Sequence, residues 1–266
     1  MKGFRIDTPL EKYNIKGKDV FVKREDLMGD NTFLPRWGKI LAIKNYIEKN
    51  IDINKPLTTL SVDGSWSGWV VSSICNDLGI EHLYSFPNSK KFNKKILDNV
   101  VSFYPNIKLN PIKPNMVSIM YNGLKGKCKK NGTQIVPYGF EHDDFISVFK
   151  DRIKEYNHFD NLIVSSGSGI SLIGLTRGFQ LKKSQRIISV CVSSENTIKK
   201  RLKKYEIDGV EVHKSKYDFS NRMDDYNTPF PTNQFWDRKA WKWLDENIKS
   251  LEGSILFWNL GGEYTY

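Results

Sequence analysis

The chain has 266 residues, a formal charge of +11 and 39% hydrophobic residues, enough for one large domain or two small ones with a core. No run of about 18 apolar residues occurs, which argues against a membrane-spanning helix, and the opening MKGFRIDTPL lacks the apolar stretch of a secretory signal. Cys75, Cys128 and Cys191 are far apart and odd in number, and no CxxC or HExxH spacing occurs; they read as reduced, buried thiols of a cytosolic protein, with no metal site.

The positive charge fits a nucleic-acid partner. It also fits the coding bias: Lys, Asn and Ile abound while alanine stands only at positions 42 and 240, a skew suggestive of an AT-rich, viral-type genome.

In chain order, Asp19-Val20-Phe21-Val22-Lys23 reads as a strand and Arg24-Glu25-Asp26 as a turn. Pro35 and Gly38 punctuate the approach to a helix that Lys39 opens, with Ile40, Ile43 and Ile47 on one face. A lysine held between Trp37 and Ile40 would be desolvated. That lowers its pKa and frees an amine able to form Schiff bases with carbonyls; the alternative is a lysine on a solvated helix face.

Strands are then expected at 57–62, 82–86, 134–136, 161–164, 186–192 and 254–258. Helices are expected at 67–78, 90–101, 116–130, 144–156, 170–180, 197–205 and 237–248, and a long loop at 214–234. This alternation predicts an α/β fold of three layers, with mostly parallel sheets covered by helices on both faces. The smaller sheet should be built from residues 55–132, inserted between 1–54 and 133–266, with the active site in the cleft between them.

Ligands in such sheets bind beyond the carboxyl ends of the strands, where three turns stand out. Asp63-Gly64-Ser65-Trp66-Ser67-Gly68-Trp69 offers hydroxyls and N–H groups at a helix N-terminus, suited to a carboxylate or phosphate, or else forms an ordinary capped turn. Ser165-Ser166-Gly167-Ser168-Gly169 follows a buried strand and opens a helix. It fits neither a dinucleotide fingerprint nor a P-loop nor a nucleophile elbow, which leaves a cup for a single phosphate or a tight turn without a ligand. Asn259-Leu260-Gly261-Gly262 ends the last strand, and its glycines imply close approach of the backbone to another group or a plain turn. His82, His142, His158 and His213 have no partner at a defined spacing and read as structural or surface residues.

Taken together, these pieces resemble the pyridoxal-phosphate enzymes of the tryptophan-synthase-β type, or PLP fold type II. They are nearest the aminocyclopropane-carboxylate deaminase and D-cysteine desulfhydrase branch and its short phage-encoded relatives. Thr8-Pro9-Leu10 resembles the opening TPL, and residues 22–27, VKREDL, the strand and turn that precede the Schiff-base lysine, here Lys39. The resemblance implies pyridoxal 5′-phosphate as cofactor, with Ser165, Ser166, Gly167, Ser168 and Gly169 on its phosphate. Asn259, Leu260 and Gly261 would lie beside its ring. It assigns Gly64, Ser65, Trp66, Ser67, Gly68, Tyr138 and Trp236 to the substrate. Leu260 stands where the family often has Ser or Thr against the ring nitrogen, implying an unprotonated nitrogen and a moderate electron sink.

The implied reaction is elimination, deamination, racemisation or decarboxylation at the α-carbon of an amino acid. An alternative substrate is an amino-acid-bearing thymine base in DNA, remodelled by a phage enzyme in the host cytoplasm and held through basic stretches at Lys90-Lys91 with Lys94-Lys95, 125–130 and 199–204. A second alternative is a catalytically silent binding protein that kept the fold. Related enzymes commonly dimerise, so a homodimer is a further expectation.

Overall fold

A computed structural model describes residues 1–62, 64–89, 94–219 and 221–263. The larger of its two sheets has six strands. β1 (Leu10–Ile15) and β2 (Lys18–Arg24) form an antiparallel hairpin closed by Lys16 and Gly17, both at positive φ, the two-residue turn whose twist suits paired strands. All other pairings are parallel: β10 (Ile255–Asn259) lies between β2 and β7 (Asn161–Ser166), followed by β8 (Arg186–Cys191) and β9 (Val210–Lys214). β7 and β10 are buried at every position, as central parallel strands require.

The two faces of this sheet are covered separately, giving three layers. Leu162, Val164, Leu256 and Trp258 pack against α1 (Ile40–Asn50), α5 (Asp143–Ile153) and α6 (Ile170–Phe179). The alternate residues Ile163, Ile255 and Phe257 pack against α8 (Asp237–Asn247) through Trp241 and Leu244. Gly174 lets α6 approach α5 closely: a Cβ there would come 2.5 Å from the Ile146 carbonyl oxygen.

The smaller sheet is all parallel, ordered β5 (Ile107–Ile112), β4 (His82–Pro87), β3 (Leu57–Leu60) and β6 (Gln134–Ile135). Its last strand lies just past residue 132, where the inserted segment was expected to end. α2 (Ser67–Leu78), α3 (Lys94–Phe103) and α4 (Val117–Asn131) connect its strands. His82 is fully buried between Ser72 Oγ at 2.9 Å and Thr59 Oγ1 at 3.1 Å, and burial pushes its pKa down to about 3; it is a neutral core residue.

Three strands, β1, β5 and β9, were not expected from sequence, and each is an edge. α7 (Glu195–Lys204) precedes β9, and residues 215–234 carry no helix or strand among those described, so the long loop stands. Among the described residues no helix is long and apolar enough to cross a membrane, and all three cysteines are free and buried.

Candidate active site

The site is built where the carboxyl ends of the two sheets face one another. The chain leaves β2 and reaches Lys39 through a backbone station fixed on both sides. Gly38 donates its N–H to Leu260 O at 2.6 Å, and a Cβ on Gly38 would come 2.5 Å from the Glu25 Cβ. Trp37 forms a bridge with Gly261.

Beneath this station lies the cluster that the VKREDL run encodes. Arg24 forks onto Asp26 at 2.9 and 2.8 Å, and Asn259 donates to the same carboxylate at 2.8 Å. Glu25, fully buried, accepts from Arg152 at 2.6 and 3.0 Å and from Thr8 at 2.9 Å. Lys23 donates to the Thr8 carbonyl. Every charge is paired or hydrogen-bonded, as buried charges must be.

Lys39 is different. Its side chain faces a cavity of about 430 Å³, within the range of small-ligand sites. Its amine lies 5.2 Å from the centre of the Trp37 ring. Burial strips water from the ammonium and lowers its pKa to about 8, against the opposing pull of the Asp237 carboxylate. Asp237 is buried too; burial raises its carboxyl to about 7, while Ser165, Leu260 and Lys39 work against that rise.

The turn after β7 lines the same cavity. Gly169 caps α6 at φ +81°, and a Cβ on Gly167 would overlap the Trp236 ring. Ser165 donates to Asp237 Oδ1 at 2.7 Å, and the Ser166 and Ser189 hydroxyls lie 2.6 Å apart. Both hydroxyls are thus engaged away from the turn, which leaves the N–H groups of Gly167, Ser168 and Gly169 without backbone acceptors among the described residues. They adjoin the free N–H groups of the first turn of α6, an anion-binding arrangement. Ser171 Oγ in that turn is buried without a hydrogen-bond partner. Arg201 donates to Ser168 O, with its other nitrogen 2.9 Å from Glu141, and adds a cation beside the cup. The residues present therefore fit a phosphate group.

Opposite, Gly64 at φ +74° leads into Ser65 and Ser67, whose hydroxyls hydrogen-bond at 3.0 Å and line the cavity. Trp236 spans the cleft and donates from its indole N–H to Gly64 O at 3.1 Å. Not every residue expected at the site borders it. Trp66 is buried edge-on against Trp69, and Gly68 packs so closely on Tyr84 that any side chain would collide with the ring. Both back the loop instead of lining the cavity. Asn259 likewise stands behind, held by Asp26 and Pro231 O, while Leu260 and Gly261 reach the cavity. Tyr138, 42% exposed, sits at the mouth beside Tyr121, their rings 5.5 Å apart. Asp63 and Lys90-Lys91 lie outside the described residues.

Sequence reasoning missed Asp237 and Arg201. Asp237 opens the helix expected at 237–248, and an acid in a helix's first turn is ordinary. Arg201 sits in a basic helix that reads as solvated. Two basic helices border the mouth: α4 through Val117 and Tyr121, α7 through Thr197 and Arg201. Lys125, Lys127, Lys129 and Lys130 are exposed on α4, and Lys200 and Lys203 on α7; none of the six forms an ion pair among the described residues.

No protein-family model matches the chain. It is 26% identical over 279 residues to a glycyl-dTMP PLP-dependent decarboxylase of Pseudomonas phage M6, covering 96% of this chain and 98% of that one. Among solved structures, an ACC deaminase homologue superposes with a TM-score of 0.71 at 17% identity, covering 98% of this chain and 91% of its own. A hydrogen sulfide-producing enzyme from Fusobacterium nucleatum superposes at 0.72 with 15% identity (97% and 94%), and a pyridoxal 5′-phosphate-dependent aspartate racemase at 0.69 with 13% (96% and 90%). With two sheets meeting at a half-buried lysine and a glycine–serine cup, the chain has the fold of the pyridoxal-phosphate enzymes of fold type II, the tryptophan-synthase-β type.

Proposed function

We propose that this protein is a pyridoxal-phosphate-dependent enzyme that removes the carboxylate from the α-carbon of an amino acid carried on a thymine nucleotide, acting in the cytoplasm of an infected host cell. The observation that carries this reading is the Lys39 amine, lowered to about 8 and facing the same cavity as the cup at residues 165–169. The match to the phage decarboxylase over nearly the whole of both chains supports the reaction and the substrate class.

When bound, the cofactor supplies an aldehyde for the substrate amine and a ring that takes up the electron pair left on the α-carbon. The chain supplies the rest. Lys39 Nζ would hold the aldehyde carbon of the cofactor, and the same nitrogen, its pKa lowered to about 8, would carry a proton to and from the α-carbon position. The N–H groups of Gly167, Ser168 and Gly169, with Arg201 beside them, hold the phosphate. Ser65 and Ser67 orient the departing carboxylate. Trp236 closes the cleft over the cup and keeps water out. The lowered amine also argues against a catalytically silent protein, because a lysine held in that cavity without an ion-pair partner costs stability.

Two observations favour a nucleotide, and specifically DNA, over a free amino acid. Tyr121 and Tyr138 at the mouth offer faces on which a base can stack. The unpaired lysines of α4 and α7 flank that mouth and suit a phosphate backbone. A homodimer belongs to the same reading and is checked by sedimentation.

The test begins with borohydride reduction of the purified protein supplied with pyridoxal phosphate, followed by peptide mass mapping. The cofactor mass should map to Lys39 and vanish in Lys39→Ala. The loaded enzyme is then given glycyl-modified thymidine monophosphate, DNA containing the same base, and a panel of free amino acids. Carbon dioxide release from the modified nucleotide or DNA alone supports the proposal. Turnover of free amino acids alone sinks the nucleotide assignment, and absence of any cofactor on Lys39 sinks the whole reading.

A further inference from the structure

We propose that Lys239 is a positioning residue for the active site: it holds the turn at Asp218 and Phe219 against Trp236, and so sets the indole that bridges the cleft to the loop of Ser65 and Ser67. This inference rests on the function proposed above.

Lys239 stands in the first turn of α8 with its side chain 1% exposed. A cation is out of place there. The N-terminal end of a helix repels positive charge, and a buried ammonium without a carboxylate is costly. Lys239 forms no ion pair among the described residues, and the carboxylate of Asp218 lies 3.7 Å from Lys214 instead. If the position needed only packing, Met or Leu would fill it without that cost. What a lysine adds is donors. Its Nζ donates to the Asp218 carbonyl at 2.7 Å and to that of Phe219 at 3.4 Å. Burial lowers its pKa to about 8, against the pull of Asp218. An ammonium of that pKa is still charged at pH 7, so both bonds carry its charge.

The turn it holds belongs to residues 215–234, which have no helix or strand among those described and so no ladder to fix them. At one end Ser215 donates its N–H to the Cys191 carbonyl at 2.8 Å; Lys239 ties the stretch that follows to α8. Phe219 then rests with its ring centre 4.6 Å from that of Trp236, and both rings line the cavity that Lys39 faces. Trp236 fills the space that Gly167 leaves for it and donates to Gly64 O at 3.1 Å across the cleft. The indole thus touches the cup on one side and the substrate loop on the other, the two parts it has to keep in register. Phe219 is a support independent of both, and Lys239 fixes Phe219. Without the ammonium, the carbonyls of Asp218 and Phe219 lose a donor, the turn loosens, and Trp236 loses its backing while Lys39 and the cup keep theirs.

The test labels the cofactor-free protein with fluorotryptophan and reads it by fluorine NMR, the Trp236 signal being the one lost in Trp236→Phe. Lys239→Met should shift or broaden that signal and leave that of Trp258, fully buried in β10, in place. In the loaded enzyme, KM for the modified nucleotide should rise on the order of tenfold, the worth of one hydrogen bond from a charged donor. kcat should change little, and borohydride should still fix the cofactor to Lys39. Phe219→Ala should give the same signal change and the same rise in KM, and the two substitutions together should do no more than either alone, because both cut one chain of contacts. An unmoved Trp236 signal in Lys239→Met overturns the inference, as do effects on KM that multiply in the double variant. Should Lys239→Met fail to fold, Lys239→Gln, whose polar end is too short to reach both carbonyls, takes its place with the same expected change. A wild-type protein that takes no cofactor on Lys39 sinks the proposed function; the fluorine signal, read without cofactor, decides the inference in either case.

Discussion

Two groups of buried charges sit at the same end of the six-stranded sheet, and the fold treats them in opposite ways. In the cluster of Arg24, Glu25, Asp26 and Arg152, the carboxylates take forked or multiple hydrogen bonds from guanidinium groups, with Thr8 and Asn259 adding more. At the cavity, Lys39 and Asp237 feel one another but form no ion pair. The first set is a closed network that anchors the chain on its way to Lys39. The second is held open, and both its pKa values have moved toward neutrality. The difference separates scaffold from chemistry: saturated charges cannot react, and unsaturated ones are kept only where a ligand completes them.

The largest effect should come from the open pair. Lys39→Ala is expected to lower turnover on the order of 10²–10⁴-fold, the worth of a positioned acid–base group, and to abolish covalent attachment of the cofactor, while circular dichroism shows an unchanged fold. The closed network should answer oppositely. Glu25→Ala strands Arg152 without its buried partner and is expected to cost about 3–5 kcal/mol in urea denaturation, with any activity loss following unfolding.

Cofactor-free protein sharpens the contrast. Lys39 binds fewer protons folded than unfolded between pH 8 and 10.5, so its contribution to stability rises across that window and is lost as pH falls. Lys39→Met should therefore raise the stability of the cofactor-free protein at pH 7 by about 3 kcal/mol and erase that slope in a pH series of thermal melts. Asp237, raised from 3.8 to about 7, binds more protons folded than unfolded in that interval. Its contribution is present below about pH 4 and lost as pH rises through 7; Asp237→Asn should flatten that decline. The smallest effect falls on the cup. Gly167→Ala must push the Trp236 ring aside, which should cost about 1–3 kcal/mol and show as weaker cofactor binding in a fluorescence titration.

How much of this could be read beforehand follows from burial. β7 and β10, buried on both faces, carry the continuous apolar stretches Leu162–Val164 and Ile255–Trp258. β1 (LEKYNI) and β9 (VEVHK) are short edges with few apolar residues, and β5 carries Pro111, so none announces itself as a strand. At the site, the VKREDL run and the spacing to Lys39 were legible because a dense buried ion network demands particular residue types. The serine–glycine turns were legible as turns, but not which members face the cavity: Trp66 and Gly68 turn into the core between neighbours that do not. Asp237 stayed hidden because its role depends on Ser165 and Leu260, each far away in the chain and brought to it only by the sheet.

The strand order carries a consequence for the timing of synthesis. β10 slots between β2 and β7, yet it leaves the ribosome long after both. Until it arrives, the sheet is two unjoined pieces, and Gly38 and Trp37 lack the Leu260 and Gly261 backbone on which they dock. A product lacking that strand also lacks the packing that lowers the Lys39 pKa, so the tuned amine belongs to the sheet only once its central strand is in place.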